Sequence, residues 1–239
     1  MSQLETQCLH AGYEQAEATT KSHAAPLYRT TSYRFDSAEH ANNLFTLKEL
    51  GNIYTRLMNP TTDILEQRVA ALDGGAAALA LASGTSAAFY SIINLASKGD
   101  EIVSANNLYG GTYTQFNDIL PSMGITVKMV DPLNPENFAA AITDKTKALF
   151  CEVVGNPLLD LVDLQAIGDI AHAHGLPLIV DATFSTPALC RPLEHGADIV
   201  IHSLTKWLGG HGTVIGGIVV DSGTFDWTTG THPLLSAPE

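Results

Sequence analysis

The chain has 239 residues, enough to bury a core in one large domain or two small ones. Its 12 basic and 25 acidic side chains give a formal net charge of -13, a surface that repels phosphate backbones and anionic lipid and so argues against nucleic-acid and membrane partners. With 45% hydrophobic and 15% charged residues the composition is that of a folded chain, no apolar run is long enough to span a bilayer, and no cationic segment followed by an apolar one opens the sequence.

Residues 1–58 carry little periodicity and hold Gly12, Pro26 and Gly51, with one short helix predicted over 38–50. Tyr28, Tyr33, Phe35, Leu44, Phe45, Ile53 and Tyr54 make this stretch too apolar for disorder. It reads as an N-terminal arm, 1–58, that packs on a partner subunit, ahead of one domain over 59–239. Asn59-Pro60-Thr61-Thr62 starts a helix with Thr61 or Thr62 as its cap. Ile64, Leu65, Val69 and Leu72 form its apolar stripe, and Gly74-Gly75 ends it.

From there strands and helices alternate. Strands are predicted over 77–82, 101–104, 126–130, 147–153, 178–181, 198–202 and 215–220. Helices follow Ser83 to about 96, Leu108-Tyr109 to about 123, and cover 135–142 and 164–174. Continuous apolar strands separated by amphipathic helices predict an α/β fold with a mostly parallel sheet flanked by helices on both faces. There is no internal repeat. Cys8, Cys151 and Cys190 have no paired spacing, and the nine histidines form no zinc-type pattern. Free thiols, a reducing cytoplasmic location and no metal are expected.

Ligands of such a sheet bind at the carboxyl ends of its strands, and the polar, glycine-rich residues fall there. Ser83-Gly84-Thr85 lies between a strand and a helix N-terminus, where free N–H groups and the helix dipole favour a phosphate; a capped turn is the plainer alternative. Tyr109 opens the next helix, and its ring can stack on a flat ligand or simply be a surface tyrosine. Asn156 follows the fourth strand at the same level. Asp181 ends a buried strand, where it either caps the next turn or holds a ring nitrogen protonated. Lys206 sits in His202-Ser203-Leu204-Thr205-Lys206, among hydroxyls and glycines. Burial disfavours the ammonium, and a neutral amine there can form a Schiff base with an aldehyde; a helix-end lysine is the bland reading. A phosphate cup, a stacking ring, an acid and a lysine at one edge are what pyridoxal 5'-phosphate requires.

The motifs CLHAGY (8–13), TTSYRFDSAEHANNLF (30–45), GNIYTRLMNPT (51–61), LASGTSA (81–87), LYGGTY (108–113), GNP (155–157), DATFSTP (181–187) and HSLTKWLGGHGT (202–213) together are specific. Through them the chain resembles the Cys/Met-metabolism family of pyridoxal-phosphate enzymes, of aspartate-aminotransferase-like fold (fold type I), and within it the branch acting on O-acetylhomoserine. The resemblance covers essentially the whole chain. It implies that Lys206 holds the cofactor covalently, Asp181 pairs with the pyridine nitrogen and Tyr109 stacks on the ring. It implies a phosphate held by Ser83, the Gly84 and Thr85 amides and the Ser203 and Thr205 hydroxyls, with Asn156 near the ring oxygen and Thr183 near the ring. Tyr54 and Arg56 would reach the phosphate in a neighbouring subunit, which makes a homo-oligomer the expected state, a dimer of shared sites or a tetramer. The implied activity is γ-replacement on O-acetyl-L-homoserine with sulfide or methanethiol, giving homocysteine or methionine, with Lys206 and Tyr109 moving protons. The alternatives are a cystathionine γ-synthase, a methionine γ-lyase or an inactive cofactor-binding fragment. The family's smaller C-terminal domain, which supplies the arginine for the substrate carboxylate, is expected to be absent here. Three positions depart from the family pattern: Ala182 in place of Asn, Thr85 after Ser-Gly, and Leu158 after Gly-Asn-Pro.

Overall fold

The computed structural model describes residues 3–229 together with His232 and Leu235. The chain divides into two compact units, one through Ala71 and one from Leu72, and the division falls inside a helix. The first unit holds α1 (Leu4–His10), α2 (Ala38–Phe45) and most of α3 (Pro60–Asp73). Backbone pairing between 31–33 and 53–55 closes its loops, with Tyr33 N–H on Ile53 O and Thr55 N–H on Thr31 O. The α3 cap differs from expectation. Asn59 fills the role, its Oδ1 accepting from Thr61 N–H at 2.9 Å. Pro60 at the first helical position favours this, since it places Asn59 in the non-helical cap geometry. The Thr61 hydroxyl turns outward instead, donating to Pro26 O and accepting from Tyr28 N–H, both at 2.9 Å.

The second unit is the sheet. Its strands are β1 (Ala77–Leu81), β2 (Glu101–Ala105), β3 (Thr126–Val130), β4 (Thr146–Glu152), β5 (Leu178–Asp181), β6 (Ile199–Ser203) and β7 (Gly217–Asp221). Their order is β1-β7-β6-β5-β4-β2-β3. All pairs are parallel except β7 with its neighbours β1 and β6. The mostly parallel sheet predicted from the alternating apolar runs is therefore the one formed. The central strands are apolar on both faces, as a doubly covered sheet requires. Leu149, Phe150 and Cys151 of β4 and Leu178, Ile179 and Val180 of β5 are all fully buried.

The helices between strands are α4 (Gly84–Leu95), α5 (Gly110–Thr114), α6 (Leu120–Ser122), α7 (Glu136–Ala141), α8 (Leu164–Ala173) and α9 (Thr186–Leu189). The single helix expected to run to about 123 is α5 and α6 joined by a π-helical turn, Gln115–Ile119. Pro121 has no N–H for the carbonyl four residues back, and the wider turn before it takes up the mismatch. Phe116 of that turn packs edge-on against Phe150 of β4 with ring centroids 4.8 Å apart. The last strand also starts later than expected, at Gly217, leaving Val214 and Ile215 exposed in the loop before it. Among the described residues no helix is long and apolar enough to cross a membrane, and no cluster of three His, Cys, Asp or Glu is arranged for a metal.

Candidate active site

The second unit brings most of the predicted site residues to one edge, the carboxyl ends of the parallel strands. β1 runs into α4 through Ser83, an extended residue whose Oγ accepts the Ser86 N–H at 3.0 Å while its carbonyl accepts the Ala87 N–H, also at 3.0 Å. A helix start leaves four N–H groups without intrahelical acceptors. Of these the Ser86 N–H is taken by the cap, while Ala87 makes the first intrahelical bond and the N–H groups of Gly84 and Thr85 make no hydrogen bond among the described residues. Gly84 is required by proximity. A Cβ there would lie 2.5 Å from Ser203 Cβ and 2.8 Å from its Cα, so the start of α4 rests directly on the end of β6. On the far side of this turn the buried Gln115 donates from Nε2 to Thr85 O at 3.2 Å.

From Ser203 a line of polar contacts crosses to the middle of the sheet. Ser203 N–H donates to Thr183 Oγ1 at 2.8 Å. Thr183 N–H donates to Asp181 Oδ1 at 2.9 Å. Burial pushes the Asp181 carboxyl above its usual range, against the Thr183 hydrogen bonds and the charge of His202, which pull it down. Asp181 faces Glu152 across the register of β5 and β4. Glu152 is buried and accepts Tyr109 N–H on Oε1 at 2.7 Å. Burial first, and then the Asp181 charge, push Glu152 up to about 8. Tyr109 sits just before α5 with its ring laid against Gly111 and about half exposed. Asn156 N–H donates to Asn107 O at 3.2 Å.

Lys206 lies in the turn 204–209 past β6, its N–H on Ser203 O at 3.1 Å. The sequence placed this lysine in a buried setting; in the structure it is exposed. β6 ends at Ser203, and the glycine-rich turn that follows carries the side chain clear of the strand. Thr205 Oγ1 donates to Gly216 O at 3.2 Å and accepts from Gly216 N–H at 3.1 Å, so its hydroxyl already braces the loop before β7. Tyr54 and Arg56 belong to the first unit, where the guanidinium lies over the tyrosine ring at 5.4 Å from its centroid.

The donor set suits a pyridine phosphate. Two N–H groups without acceptors and the Ser203 hydroxyl stand at one end, where the helix dipole favours a phosphate dianion. At the other end the carboxyls of buried Glu152 and half-buried Asp181 stand in register on neighbouring strands, and the Asp181 charge adds to burial in pushing Glu152 up. A protonated ring nitrogen fits that end.

Two features of this edge escape a reading of the residues alone. Glu152 is the last residue of an apolar strand directly before Gly155-Asn156-Pro157, and the logic applied to Asp181 finds it. His202 and Asp73 form a fully buried pair, Nε2 to Oδ2 at 2.8 Å, directly behind Ser203. They are 129 residues apart in sequence, and no local signal joins them.

Comparison with known proteins gives a consistent result. Residues 5–235 match the family described as Cys/Met metabolism PLP-dependent enzyme. The chain is 54% identical over 235 residues to an O-acetyl-L-homoserine sulfhydrylase of Leptospira meyeri, covering 98% of this chain and 53% of that protein. It is 54% identical to a homocysteine synthase of Schizosaccharomyces pombe, covering 94% of this chain and 52% of the relative. The chain thus spans about half the length of the curated relatives it matches. Among solved structures, a putative O-acetylhomoserine (thiol)-lyase of Campylobacter jejuni, which carries a pyridoxyl-lysine phosphate adduct, superposes with a TM-score of 0.89 at 40% identity over 92% of this chain and 54% of that one. A cystathionine gamma-lyase of Lactobacillus plantarum gives 0.84 at 38% identity, over 92% of this chain and 55% of its own. The sheet, its order and its helices are those of the fold type I pyridoxal-phosphate enzymes. The chain belongs to the Cys/Met metabolism PLP-dependent enzyme family.

Proposed function

We propose that the chain carries the cofactor-binding half of an O-acetylhomoserine sulfhydrylase. The reaction is γ-replacement: the Cγ–O bond of O-acetyl-L-homoserine breaks, acetate leaves, and a sulfur nucleophile forms the new Cγ–S bond to give homocysteine from sulfide or methionine from methanethiol. The observation that carries the reading is the continuous polar edge from Gly84 through Ser203, Thr183 and Asp181 to Glu152 and Tyr109. The choice of substrate rests on the 54% identity to sulfhydrylase relatives.

On this reading the Gly84 and Thr85 N–H groups, with the Ser83 and Ser203 hydroxyls, hold the phosphate. Thr205 joins them only if its hydroxyl leaves Gly216. Asp181 holds the proton on the pyridine nitrogen, fixed in orientation by Thr183. Tyr109 covers the ring, and Asn156 and Thr183 lie at its edge. Lys206 anchors the cofactor, and its exposed amine is free to move a proton at the substrate Cα. Tyr109, anchored through its main-chain N–H, exchanges a proton with the leaving group on this reading. Bound pyridoxal phosphate supplies the electron sink that makes the Cα and Cβ protons acidic.

The arm 1–58 and the domain 59–239 are the division of labour this implies, with Tyr54 and Arg56 completing the phosphate site of a second copy in a homo-oligomer. Leu27, Phe45, Leu47, Leu50 and Leu57 of the first unit are exposed apolar residues, which such an interface would cover. A cytoplasmic location keeps the three free thiols reduced. The test is a substrate panel on the cofactor-loaded protein: O-acetylhomoserine with sulfide, O-acetylhomoserine with cysteine, and methionine alone. Homocysteine from the first pair is the expected main product. Cystathionine from the second, or methanethiol from the third, as main product overturns the assignment.

A further inference from the structure

The main chain of Tyr109 is held by a residue to which neither sequence nor comparison assigns a role. Glu152 ends β4 in register with Asp181 on β5. Residues paired across a parallel ladder point to the same face, and neighbouring strands lie about 4.8 Å apart. Both carboxyls therefore open on the same side of the same edge. Glu152 is 4% exposed, and its hydrogen-bond donor is a residue of the predicted site. Tyr109 N–H, at 2.7 Å, comes from the loop after β2. One side chain at the end of β4 thus holds the main chain of that loop. The loop after β4 is closed by the Val154–Leu161 bridge and meets the loop after β2 through Asn156 N–H on Asn107 O at 3.2 Å.

We propose that Glu152 is a positioning residue of this site: it clamps the main chain of Tyr109, and it forms with Asp181 a carboxyl pair that a cationic ring completes. The inference rests on the reading of this edge as a pyridoxal-phosphate site. Among the described residues, Asp181 on β5 faces Glu152, Cys151 adjoins it on its own strand, and His202 on β6 acts on Asp181. None of these places a fixed cation against it. Burial and the neighbouring Asp181 charge hold the Glu152 proton up to about pH 8, so the cofactor-free chain keeps a proton on the pair at neutral pH.

That proton gives a readout which a merely structural glutamate would not move. Glu152 rises from an ordinary 4.5 in the unfolded chain to about 8 in the folded one. The folded state then binds more protons between those values. Stability from this group is fully present below about 4.5 and is lost as pH rises through 8.

The experiment uses the full chain and two variants, Glu152→Gln and Glu152→Leu. Thermal midpoints are measured without cofactor from pH 5 to 8.5, and pyridoxal phosphate affinity is measured at pH 7.5. The wild-type midpoint is expected to fall across this range by at least about 5 °C more than that of E152Q, which has no proton to lose. E152Q keeps a carbonyl oxygen for Tyr109 N–H and is expected to bind the cofactor within about 5-fold of wild type. E152L removes the clamp and is expected to bind roughly 10-fold or more weaker. A wild-type pH slope in E152Q, or wild-type affinity in E152L, overturns the proposal. If E152L does not fold, the E152Q slope decides. If the wild-type chain binds no pyridoxal phosphate, the reading of the site fails, while the slope still tests the carboxyl pair.

Discussion

Replacing Gly84 by alanine tests the phosphate end of the site at its tightest point. The added Cβ would stand 2.5 Å from Ser203 Cβ and 2.8 Å from Ser203 Cα. Carbon atoms pack at about 3.5–4.0 Å, so α4 and the end of β6 must separate by roughly 1 Å. The obstacle is main chain on both sides, and no rotamer change relieves it. Overpacking of this kind costs about 1–3 kcal/mol of stability. The larger effect is on the ligand. A 1 Å displacement carries the Gly84 and Thr85 N–H groups out of the 2.7–3.2 Å window for hydrogen bonds from N–H. A hydrogen bond to a charged group contributes about 1.5–3 kcal/mol, so the loss of one loosens pyridoxal phosphate by about 10- to 100-fold. Thr85→Ala is the internal control. Thr85 is exposed and enters the site through its main-chain N–H, so removing its side chain is expected to change affinity by less than about 2-fold. The assay is a cofactor titration followed by fluorescence quenching, with thermal unfolding of each variant alongside. Wild-type affinity in G84A, or a loss in T85A as large as in G84A, would refute the reasoning.

Asp181→Asn removes the charge that favours a protonated ring nitrogen while keeping the Thr183 N–H acceptor, and is expected to weaken cofactor binding by roughly 10- to 100-fold with little loss of stability. The check is the same titration, and unchanged affinity would remove Asp181 from the site. Asp73→Ala leaves His202 buried without its partner, and breaking such a pair costs about 3–5 kcal/mol, a large part of a typical domain's 5–15 kcal/mol. Urea unfolding measures it, and a loss under about 1 kcal/mol would show that the pair is not structural.

Much of this was written in the local sequence. The strands with continuous apolar runs, β4 and β5, were legible within a residue or two, because a strand covered on both faces needs apolar residues at every position. The candidate edge was legible because Ser83-Gly84-Thr85, Tyr109, Asn156, Asp181 and Lys206 recur together at the carboxyl ends of the strands, where ligands of such sheets bind. Three things were not legible. The Asn59 cap competes with two threonines beside it, and only the tertiary contacts of Thr61 with Pro26 and Tyr28 decide between them. The π turn over Gln115–Ile119 leaves the apolar periodicity of its helix intact, so only the hydrogen-bond register reveals it. The exposure of Lys206 depends on where β6 stops, and an apolar run does not fix a strand end to the residue. Glu152 carries the same signal as Asp181, a carboxylate ending an apolar strand, four residues before Asn156.

The central claim is that this edge holds pyridoxal phosphate through Lys206. The most direct measurement is to add the cofactor to the purified chain, reduce with borohydride, digest, and locate the added pyridoxyl mass by mass spectrometry. The account predicts one dominant label, on the peptide containing Lys206. A label mainly on another lysine, such as Lys21 or Lys147, or no label at saturating cofactor, would contradict it.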